Sequence, residues 1–470
     1  MTASVPWRSV SIVIPTVDGF DLVAACLQTL PAASTLLRPE VVIVDNGSKD
    51  GGRQFDTLPG VRVVHHAENL GFARGVNTGL RAATGELVMV LNNDTLCAPG
   101  MIDRLVQALA QHQGVGFVAP LSNQVKAVQL FPLGDEGLTS EGRAQVAQML
   151  AEHWGGRVDD VEDLSGLCLL GRKATWDQLG GFDEEFPIGN FEDDDLSLRA
   201  RRLGLRLLVV RDAYLHHLGN RTFRILGVDY WQRFHENGRI FQSKWAQDPA
   251  VAARTLFLAG HFAQARERAE AAVRELPGCP DGDRLLADSC LALGAHAEAV
   301  GHYRRFLDRC PCHGHAALNL GFALLWSGQE SAGCDQIRHA LLHCTIEDKL
   351  AAESCLRVAQ TLLDRERPQE AGSWLRSARE AGLDDARTHR VAGVLALLDN
   401  QLEAAEQHLG QAVTDQDAVV WMNLGITQWR RNRPAEAVRS FERACAIAPD
   451  YAPARHNLTR ARQAMAGAAT

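Results

Sequence analysis

The sequence has no excess of positive charge and no long apolar run. Its 48 Lys and Arg residues are outnumbered by 57 Asp and Glu residues, which gives a formal net charge of −9. This charge argues against binding to nucleic acid or to an anionic membrane surface. Because no apolar stretch has the length of a membrane span, and residues 1–9 lack the core of a signal peptide, we expect a cytoplasmic protein without a transmembrane segment.

The cysteine pattern does not support a disulfide framework. The chain has 11 cysteines, an odd number, scattered over 470 residues, whereas disulfide-rich scaffolds are small and secreted. Cys310, Cys312, His313 and His315 are the one cluster that resembles a metal site, but their spacing fits no standard zinc pattern. We therefore expect reduced cysteines without a structural zinc ion.

The sequence does contain two halves with different patterns. The chain is 46% apolar and long enough to form two domains. Residues 1–246 alternate short apolar runs with amphipathic segments, which predicts an α/β domain with a mostly parallel sheet covered by helices on both faces. Residues 247–470 lose the strand pattern, and we predict an all-α domain there.

The all-α half is repetitive. Gly260, Gly294 and Gly328 are spaced by 34 residues, and alanines recur after each turn where paired helices would cross. The pattern resembles the tetratricopeptide repeat, with six copies over about 246–450 and a capping helix after them. Turns of the later copies are expected at Glu366, Asn400 and Asn432. Such repeats present a concave helical face that holds peptides or other proteins.

Two groups of acidic and amide side chains follow apolar or glycine-rich segments of the first half. Asn92, Asn93 and Asp94 end a strand-like run, and Glu192 to Asp195 open a helix-like stretch. Grouped carboxylates can hold a divalent cation or remove a proton from an acceptor hydroxyl. The pattern therefore predicts a metal-dependent transferase that acts on a phosphorylated donor.

Seven motifs in the first half occur in the order typical of inverting family-2 glycosyltransferases. They are SIVIPT, VVIVDNGSKDG, ENLGFARGVNTGL, ELVMVLNNDT, LGGFDEEF, FEDDDLSLRARRLG and YLHHLGNRTF. The resemblance covers residues 8 to about 240 and implies the GT-A fold. It also implies a nucleotide-diphosphate sugar donor, linked to UDP, dTDP or GDP.

The resemblance places the donor at the ends of the predicted strands. Asp45 can accept the ring N–H of the base, although the same residue also suits a turn. Asn69 and Arg74 are expected to contact the nucleoside, and a helix start explains them nearly as well. The full set of expected donor contacts is Pro15, Thr16, Asp45, Asn46, Asn69, Arg74, Asn92 and Asn93.

The resemblance also implies a metal site. Residues 92–94 occupy the Asp-x-Asp position of the family, so that Asp94 would bind Mn²⁺ or Mg²⁺ and the metal would bridge the diphosphate. Asn92 replaces the first Asp of the pattern, which weakens the expected metal affinity. His216 is the expected second ligand, with the adjacent His217 and a simple packing role as alternatives.

Asp193, together with Glu192, is the expected catalytic base. Inverting transfer needs one carboxylate to deprotonate the acceptor as it attacks the anomeric carbon. Asp195 is the next candidate, and all four acids could instead favour a helix N-terminus. Four consecutive acids repel one another, which supports a functional origin without identifying the base.

The repeats suggest a polypeptide acceptor. Asn319, Asn423 and Asn457 share one repeat position and could hydrogen-bond a peptide backbone, with a packing role as the alternative. Recruitment by the repeats would raise the acceptor concentration near Asp193. Two other functions remain open: transfer to a lipid-linked or polysaccharide glycan with repeats that form a homo-oligomer, and a non-catalytic scaffold with a degenerate transferase domain.

Overall fold

The computed structural model describes residues 5–49, 52–125, 127–186, 189–219, 229–278, 280–344, 346–414 and 416–467. It divides into two compact units, Met1–Gly333 and Cys334–Thr470. The predicted boundary at 246/247 lies inside the first unit and remains a prediction about sequence domains. Among the described residues, no helix is both long and apolar enough to cross a membrane.

The first unit is built on a sheet of nine strands in the order β3-β2-β1-β4-β8-β6-β9-β5, with β7 paired to β9. Neighbours from β3 to β4 are parallel, as are β6 and β9, whereas β5, β7 and β8 run antiparallel to their neighbours. The strands are β1 Val10–Thr16, β2 Pro39–Asn46, β3 Val61–His66, β4 Leu87–Leu91, β5 Thr95–Cys97, β6 Val115–Ser122, β7 Val158–Asp160, β8 Cys168–Arg172 and β9 Arg206–His217.

Helices cover both faces of this sheet, as predicted. Ile12 and Ile14 of β1 pack in one apolar cluster, and Val13 between them packs in the other, because successive strand residues point to opposite faces. The helices that connect the strands are α1 Phe20–Ala33, α2 Phe72–Ala82, α3 Met101–Gln111, α4 Ser140–Trp154, α5 Lys173–Leu179 and α6 Glu192–Arg202. Short 3₁₀ turns occupy Gly52–Thr57, Ala127–Gln129 and Asp135–Leu138. The predicted fold class is confirmed.

The first repeat helices belong to the same compact unit as the sheet. The helix α7 Tyr230–Lys244 precedes them. The first repeat helices are α8 Pro249–Leu258, α9 Phe262–Glu275, α10 Pro280–Ala292, α11 His296–Leu307 and α12 Gly314–Trp326, with α13 Glu330–His343 at the division. Gly260, Gly294 and Gly328 have φ of 79°, 76° and 88°. These left-handed values fit glycine, so the predicted repeat turns fall at the expected positions.

The second unit consists of paired antiparallel helices. They are α14 Asp348–Asp364, α15 Pro368–Glu380, α16 Ala386–Leu398, α17 Leu402–Ala412, α18 Ala418–Arg430, α19 Pro434–Ile447 and α20 Ala452–Gly467. The predicted turn residues Glu366, Asn400 and Asn432 have φ of 59°, 61° and 62°. Buried alanines such as Ala405 and Ala437 lie on the second helix of a pair, where a small side chain allows the helices to approach.

Candidate functional site

A cleft of about 470 Å³ lies beside the N-terminus of α6. It is bounded by the segment after β4, the loop before β8, the acidic start of α6, the end of β9 and the first turns of α7. Its lining residues are Phe72, Asn92, Gln124, Val125, Ser165, Gly166, Leu167, Gly189, Asn190, Phe191, Glu192, Asp193, Asp194, His217, Tyr230 and Phe234. Acidic, amide and aromatic side chains therefore share one concave surface.

The acids of α6 differ in their surroundings. Asp193 lines the cleft, where its Oδ2 accepts a hydrogen bond of 2.9 Å from the backbone N–H of Gly166. Its Oδ1 accepts a bond of 3.0 Å from the backbone N–H of Asp194. These bonds hold the carboxylate in one orientation at the cleft wall.

Asp195 is fully buried and is held by three other side chains. Its Oδ2 accepts a bond of 2.7 Å from Arg199 Nε, and its Oδ1 accepts one of 2.9 Å from the Trp245 indole. Lys244 Nζ lies 2.7 Å from the same Oδ1. The structure therefore gives Asp195 a structural environment and leaves Asp193 at the cleft.

The backbone before α6 is left-handed over three consecutive residues. Gly189, Asn190 and Phe191 have φ of 59°, 69° and 70°, and such values are unfavourable for the two residues that carry a Cβ. Asn237 of α7 donates to the carbonyls of Gly189 and Asn190 at 2.6 and 3.0 Å. This buried amide stabilises the turn that precedes α6.

The residues after β4 include buried side-chain oxygens and an amide that hydrogen-bonds to β1. Asn93 Nδ2 donates to Thr16 Oγ1 at 2.9 Å, which joins the ends of β4 and β1. Asn92 Oδ1 and Asp94 Oδ1 are buried and have no hydrogen-bond partner within the described ranges. A buried oxygen without a donor is costly, and a cation would satisfy it.

The two adjacent histidines named for the metal site lie in different surroundings. His217 Nε2 lies 3.3 Å from Asp94 Oδ2, and His217 Nδ1 lies 2.9 Å from the carbonyl of Gln124. Burial alone would lower the pKa of His217, but the Asp94 carboxylate raises it. His216 projects from the other face of β9 and hydrogen-bonds the Tyr214 hydroxyl at 3.0 Å, because neighbouring strand residues alternate in direction.

The expected base-binding residue Asp45 ends β2 and lies in a hydrogen-bonded turn. Its Oδ1 accepts from the backbone N–H of Ser48 at 2.9 Å, and its Oδ2 lies 2.7 Å from His65 Nδ1. Burial alone would raise the pKa of Asp45, but these contacts lower it. The pKa of His65 is raised by its contacts with Asp56 and Asp45. Asp45 is therefore held as a carboxylate.

Two other expected donor residues hold the loop before α2. Asn46 Nδ2 donates to Asn69 Oδ1 at 2.9 Å and to the carbonyl of Gly71 at 3.0 Å. Asn69 Oδ1 also accepts from the backbone N–H of Gly71. Arg74 is half-exposed and lies 3.4 Å from Glu184. Pro15 pairs with Val44 inside the sheet.

The three expected acceptor asparagines are not equivalent. Asn319, in the first unit, donates to Asp288 at 3.4 Å. Asn423, in the second unit, lines a groove of about 480 Å³ with Arg390 and Val391 among its neighbours. Asn457 is half-buried on the last helix. Only Asn423 among them lines one of the larger cavities found in the described part of the chain.

Sequence reasoning missed several residues of this site. His217, named only as the alternative to His216, is the histidine that lies 3.3 Å from Asp94. Asn237 lies inside an ordinary amphipathic helix, so nothing in its sequence context predicts the contact with Gly189 and Asn190. Residues 220–223, the last four of the motif YLHHLGNRTF, lie outside the described residues.

Known proteins match both halves of the chain. Residues 11–132 match the family described as "Glycosyl transferase family 2", and residues 251–311 and 418–451 match tetratricopeptide-repeat families. An N-acetylglucosaminyl-diphospho-decaprenol L-rhamnosyltransferase of Mycobacterium tuberculosis (strain CDC 1551 / Oshkosh) is 30% identical over 213 residues, 39% of this chain and 68% of the relative.

A chondroitin synthase of Escherichia coli is 26% identical over 237 residues, which cover 44% of this chain and 34% of that protein. The crystal structure of GalNAc-T7 with UDP, GalNAc and Mn²⁺ aligns with a TM-score of 0.35 and 16% identity, over 45% of this chain and 44% of the other. Among the described residues, no group of three or more His, Cys, Asp or Glu side chains forms a metal site by itself. On the family match and the rhamnosyltransferase relative, the chain belongs to glycosyltransferase family 2, with tetratricopeptide repeats after the transferase domain.

Proposed function

We propose that this protein is an inverting glycosyltransferase in which Asp193 is the general base. The acceptor hydroxyl loses its proton to Asp193 as its oxygen attacks the anomeric carbon of the donor sugar. The new C–O bond forms while the bond to the diphosphate oxygen breaks, and the nucleoside diphosphate leaves with the electron pair. The position of Asp193 on the cleft wall, with Asp195 buried away in ion pairs, is the observation that carries this assignment.

The residues after β4 fit a divalent cation. Asp94 Oδ1 and Asn92 Oδ1 are buried without hydrogen-bond donors among the described residues, and His217 lies beside Asp94. Mg²⁺ and Mn²⁺ accept oxygen and imidazole ligands and usually take further ligands from substrate phosphates. When bound, Mn²⁺ or Mg²⁺ would neutralise charge on the departing diphosphate. We propose Asp94, Asn92 and His217 as its protein ligands, with His217 in place of His216.

The nucleoside of a UDP-, dTDP- or GDP-linked donor would lie near the ends of β1 and β2. Asp45 is held as a carboxylate by Ser48 and His65, and can accept the ring N–H of the base. Asn46 and Asn69 keep the loop before α2 in place. Their role is therefore to shape the donor site, together with Pro15 and Thr16, and Arg74 is an exposed cation of this region.

A polypeptide recruited by the repeats is the first candidate acceptor. The groove beside Asn423 in the second unit offers amide, cationic and apolar side chains on one surface. An extended peptide can use such a surface through backbone hydrogen bonds to the Asn423 amide. Recruitment there would raise the local concentration of acceptor.

A glycan acceptor is the second candidate, with repeats that serve self-association. Two observations favour it. The relatives named above include a transferase whose name specifies a lipid-linked N-acetylglucosamine and a polysaccharide synthase. Tyr230 and Phe234 also line the cleft near Asp193, and aromatic faces pack well against the apolar face of a sugar ring.

The first experiment measures hydrolysis of UDP-, dTDP- and GDP-sugars by the purified protein, with and without Mn²⁺. Asp193→Asn keeps the shape of the side chain but removes the base, so that turnover should fall about 100-fold or more while nucleotide still binds. Asp177→Asn, on an exposed carboxylate, is the matched control. Full turnover in Asp193→Asn would exclude this residue as the base.

A second experiment separates the two acceptors. The protein is incubated with the active donor and either a protein extract fraction or a set of prenyl-diphosphate-linked and free oligosaccharides. Sugar incorporated into protein, at a rate that Asn423→Ala reduces at low acceptor concentration, supports the polypeptide acceptor. Transfer to glycans alone supports the second candidate. No turnover with any donor in either arm would favour a non-catalytic scaffold.

A further inference from the structure

The helix that carries Asp193 is held at its N-terminal end by α7. Asn237, fully buried, donates to the carbonyls of Gly189 and Asn190 just before α6. Phe191, the next residue, packs against the rings of Phe234 and Phe241, with centroids 5.0 and 5.6 Å away. The start of the catalytic helix thus depends on contacts from outside the sheet.

Gly238 permits this close packing. A Cβ at this position would lie 3.2 Å from the Phe191 ring, which is closer than an ordinary van der Waals contact. Left-handed residues with a Cβ cost about 1–3 kcal/mol each and persist only where the surrounding structure holds them. The contacts from α7 supply that support for Asn190 and Phe191.

The same helix is held at its C-terminal end by the first repeats. Arg201 forms a buried ion pair with Asp281 at the start of α10. Arg202 Nε donates to Asp248 Oδ2 at 2.8 Å, and Arg202 Nη1 lies 3.3 Å from Glu275. Asp248 also caps α8, because its Oδ1 accepts from the backbone N–H groups of Ala250 and Val251.

We propose that α7 and the first repeats act as a clamp that positions Asp193. The clamp consists of Asn237 at the front of α6 and of Asp248 and Asp281 at its rear. The inference rests on the proposed role of Asp193 as the base. It makes the first repeats a working part of the transferase, whereas acceptor recruitment is left to the later repeats.

The physical basis is the stiffness of a short helix. α6 has 11 residues and is therefore about 16 Å long, so movement at either end shifts the whole element. A misplacement of about 1 Å in a reacting group can reduce turnover by about 100-fold. Asn237, Asp248 and Asp281 are not among the residues that line the cleft, and none of the contacts described above joins them to Asp193. They therefore act as positioning residues.

The test uses the full-length protein and donor hydrolysis. Asn237→Asp preserves the shape of the side chain but cannot donate to two carbonyls. Asp248→Asn preserves the helix cap, since Asn caps as well as Asp, and removes the charge that binds Arg202. Active sites are counted by titration with nucleotide, so that a loss of folded protein is not mistaken for a loss of rate.

We expect kcat per nucleotide-binding site to fall about 10- to 100-fold in Asn237→Asp and about 3- to 10-fold in Asp248→Asn. The donor KM and the nucleotide affinity should stay within about 2-fold of wild type, since neither variant touches the donor residues. Asp385→Asn is the matched control, because Asp385 also caps a helix and pairs with an arginine, Arg387, in the second unit.

Wild-type kcat per site in Asp248→Asn, together with an inactive Asp193→Asn, would overturn the clamp and leave the base assignment intact. The Asp248→Asn variant still tests the clamp if Asn237→Asp does not fold. An equal loss in Asp385→Asn would also overturn the clamp, since that cap is in the other unit. Activity retained by Asp193→Asn would overturn the base assignment and the clamp with it.

Discussion

The first and the later repeats are built from one sequence pattern but have different surroundings. Asp248 is the N-cap of α8 and Asp385 is the N-cap of α16. Each side chain accepts hydrogen bonds from two backbone N–H groups in the first turn of its helix. The second oxygen of Asp248 binds Arg202 on α6, whereas that of Asp385 binds Arg387, two residues along the chain. The same capping residue thus serves the transferase in one place and only its own repeat in the other.

The ion pairs of the two regions differ in burial as well. The side chains of Arg201 and Asp281 are 9% and 5% exposed, whereas those of Arg387 and Asp385 are 54% and 35% exposed. Buried pairs are costly to break, and exposed pairs contribute little. The first repeats thus contribute a buried ion pair to the unit that contains the sheet, whereas the pair at the start of α16 is exposed.

The largest expected effect comes from cutting the chain at the predicted boundary. A protein that ends after Gln247 loses the partners of Arg201, Arg202 and Glu162. Burial alone would raise the pKa of Glu162, but its contacts with Arg284 and Arg254 lower it. An unpaired buried charge costs about 3–5 kcal/mol, and a domain has about 5–15 kcal/mol in total.

We therefore expect no cooperative thermal transition and no nucleotide binding for residues 1–247. A protein that ends after Gln329 keeps these partners, and should melt cooperatively and hydrolyse donor. Circular dichroism melts measure whether unfolding is cooperative, and thermal shifts with nucleotide measure nucleotide binding. A well-folded, nucleotide-binding 1–247 fragment would contradict the role given to the first repeats.

A second prediction compares two acids of α6. Asp195→Asn leaves Arg199 and Lys244 without their buried carboxylate, and should lower the free energy of unfolding of the first unit by about 3–5 kcal/mol. Asp193→Asn should change it by less than about 1 kcal/mol and abolish turnover instead. Urea unfolding, followed by a probe in the first unit, distinguishes the two. Equal destabilisation by both variants would mean that Asp193 is also structural.

A third prediction concerns the cation. If Asp94 and His217 bind Mn²⁺, nucleotide with Mn²⁺ should stabilise the wild-type protein by about 2–4 kcal/mol at saturation. Asp94→Ala should remove the Mn²⁺-dependent part, and His217→Gln should reduce it. Calorimetric melts with nucleotide, in Mn²⁺ and in EDTA, give the difference. An unchanged Mn²⁺ effect in Asp94→Ala would exclude it as a ligand.

The smallest expected effect lies in the later repeats. Asn423→Ala removes one hydrogen-bonding amide from the groove of the second unit, and one such bond contributes about 0.5–1.5 kcal/mol. The KM for a polypeptide acceptor should rise about 2- to 10-fold while donor hydrolysis stays constant. Asn319→Ala, at the equivalent repeat position in the first unit, is the control and should leave the acceptor KM unchanged. A raised acceptor KM in Asn319→Ala and an unchanged one in Asn423→Ala would place acceptor binding in the first repeats.

Much of the fold could be predicted from the sequence because its patterns are local. Buried strands such as β1 and β4 appear as apolar runs, and the repeat turns at Gly260 and Asn432 require left-handed backbone that glycine and asparagine tolerate. The cleft edge was also predictable, since Asn92 and Asp193 follow strand and loop ends. The roles of adjacent residues were not predictable, because a motif alignment cannot resolve which of two neighbouring residues faces the candidate site.

The sequence alone determined the family, the α/β and repeat architecture, and the acidic positions from which the site is built, because periodicity and motif order are properties of the chain itself. Only the tertiary structure decided that His217 and not His216 lies beside Asp94, and that Asp195 is buried against Lys244 and Trp245. It alone also showed that the first repeats hold α6. The physical reason is that these choices depend on side-chain direction and on contacts between residues far apart in sequence, which no local pattern encodes.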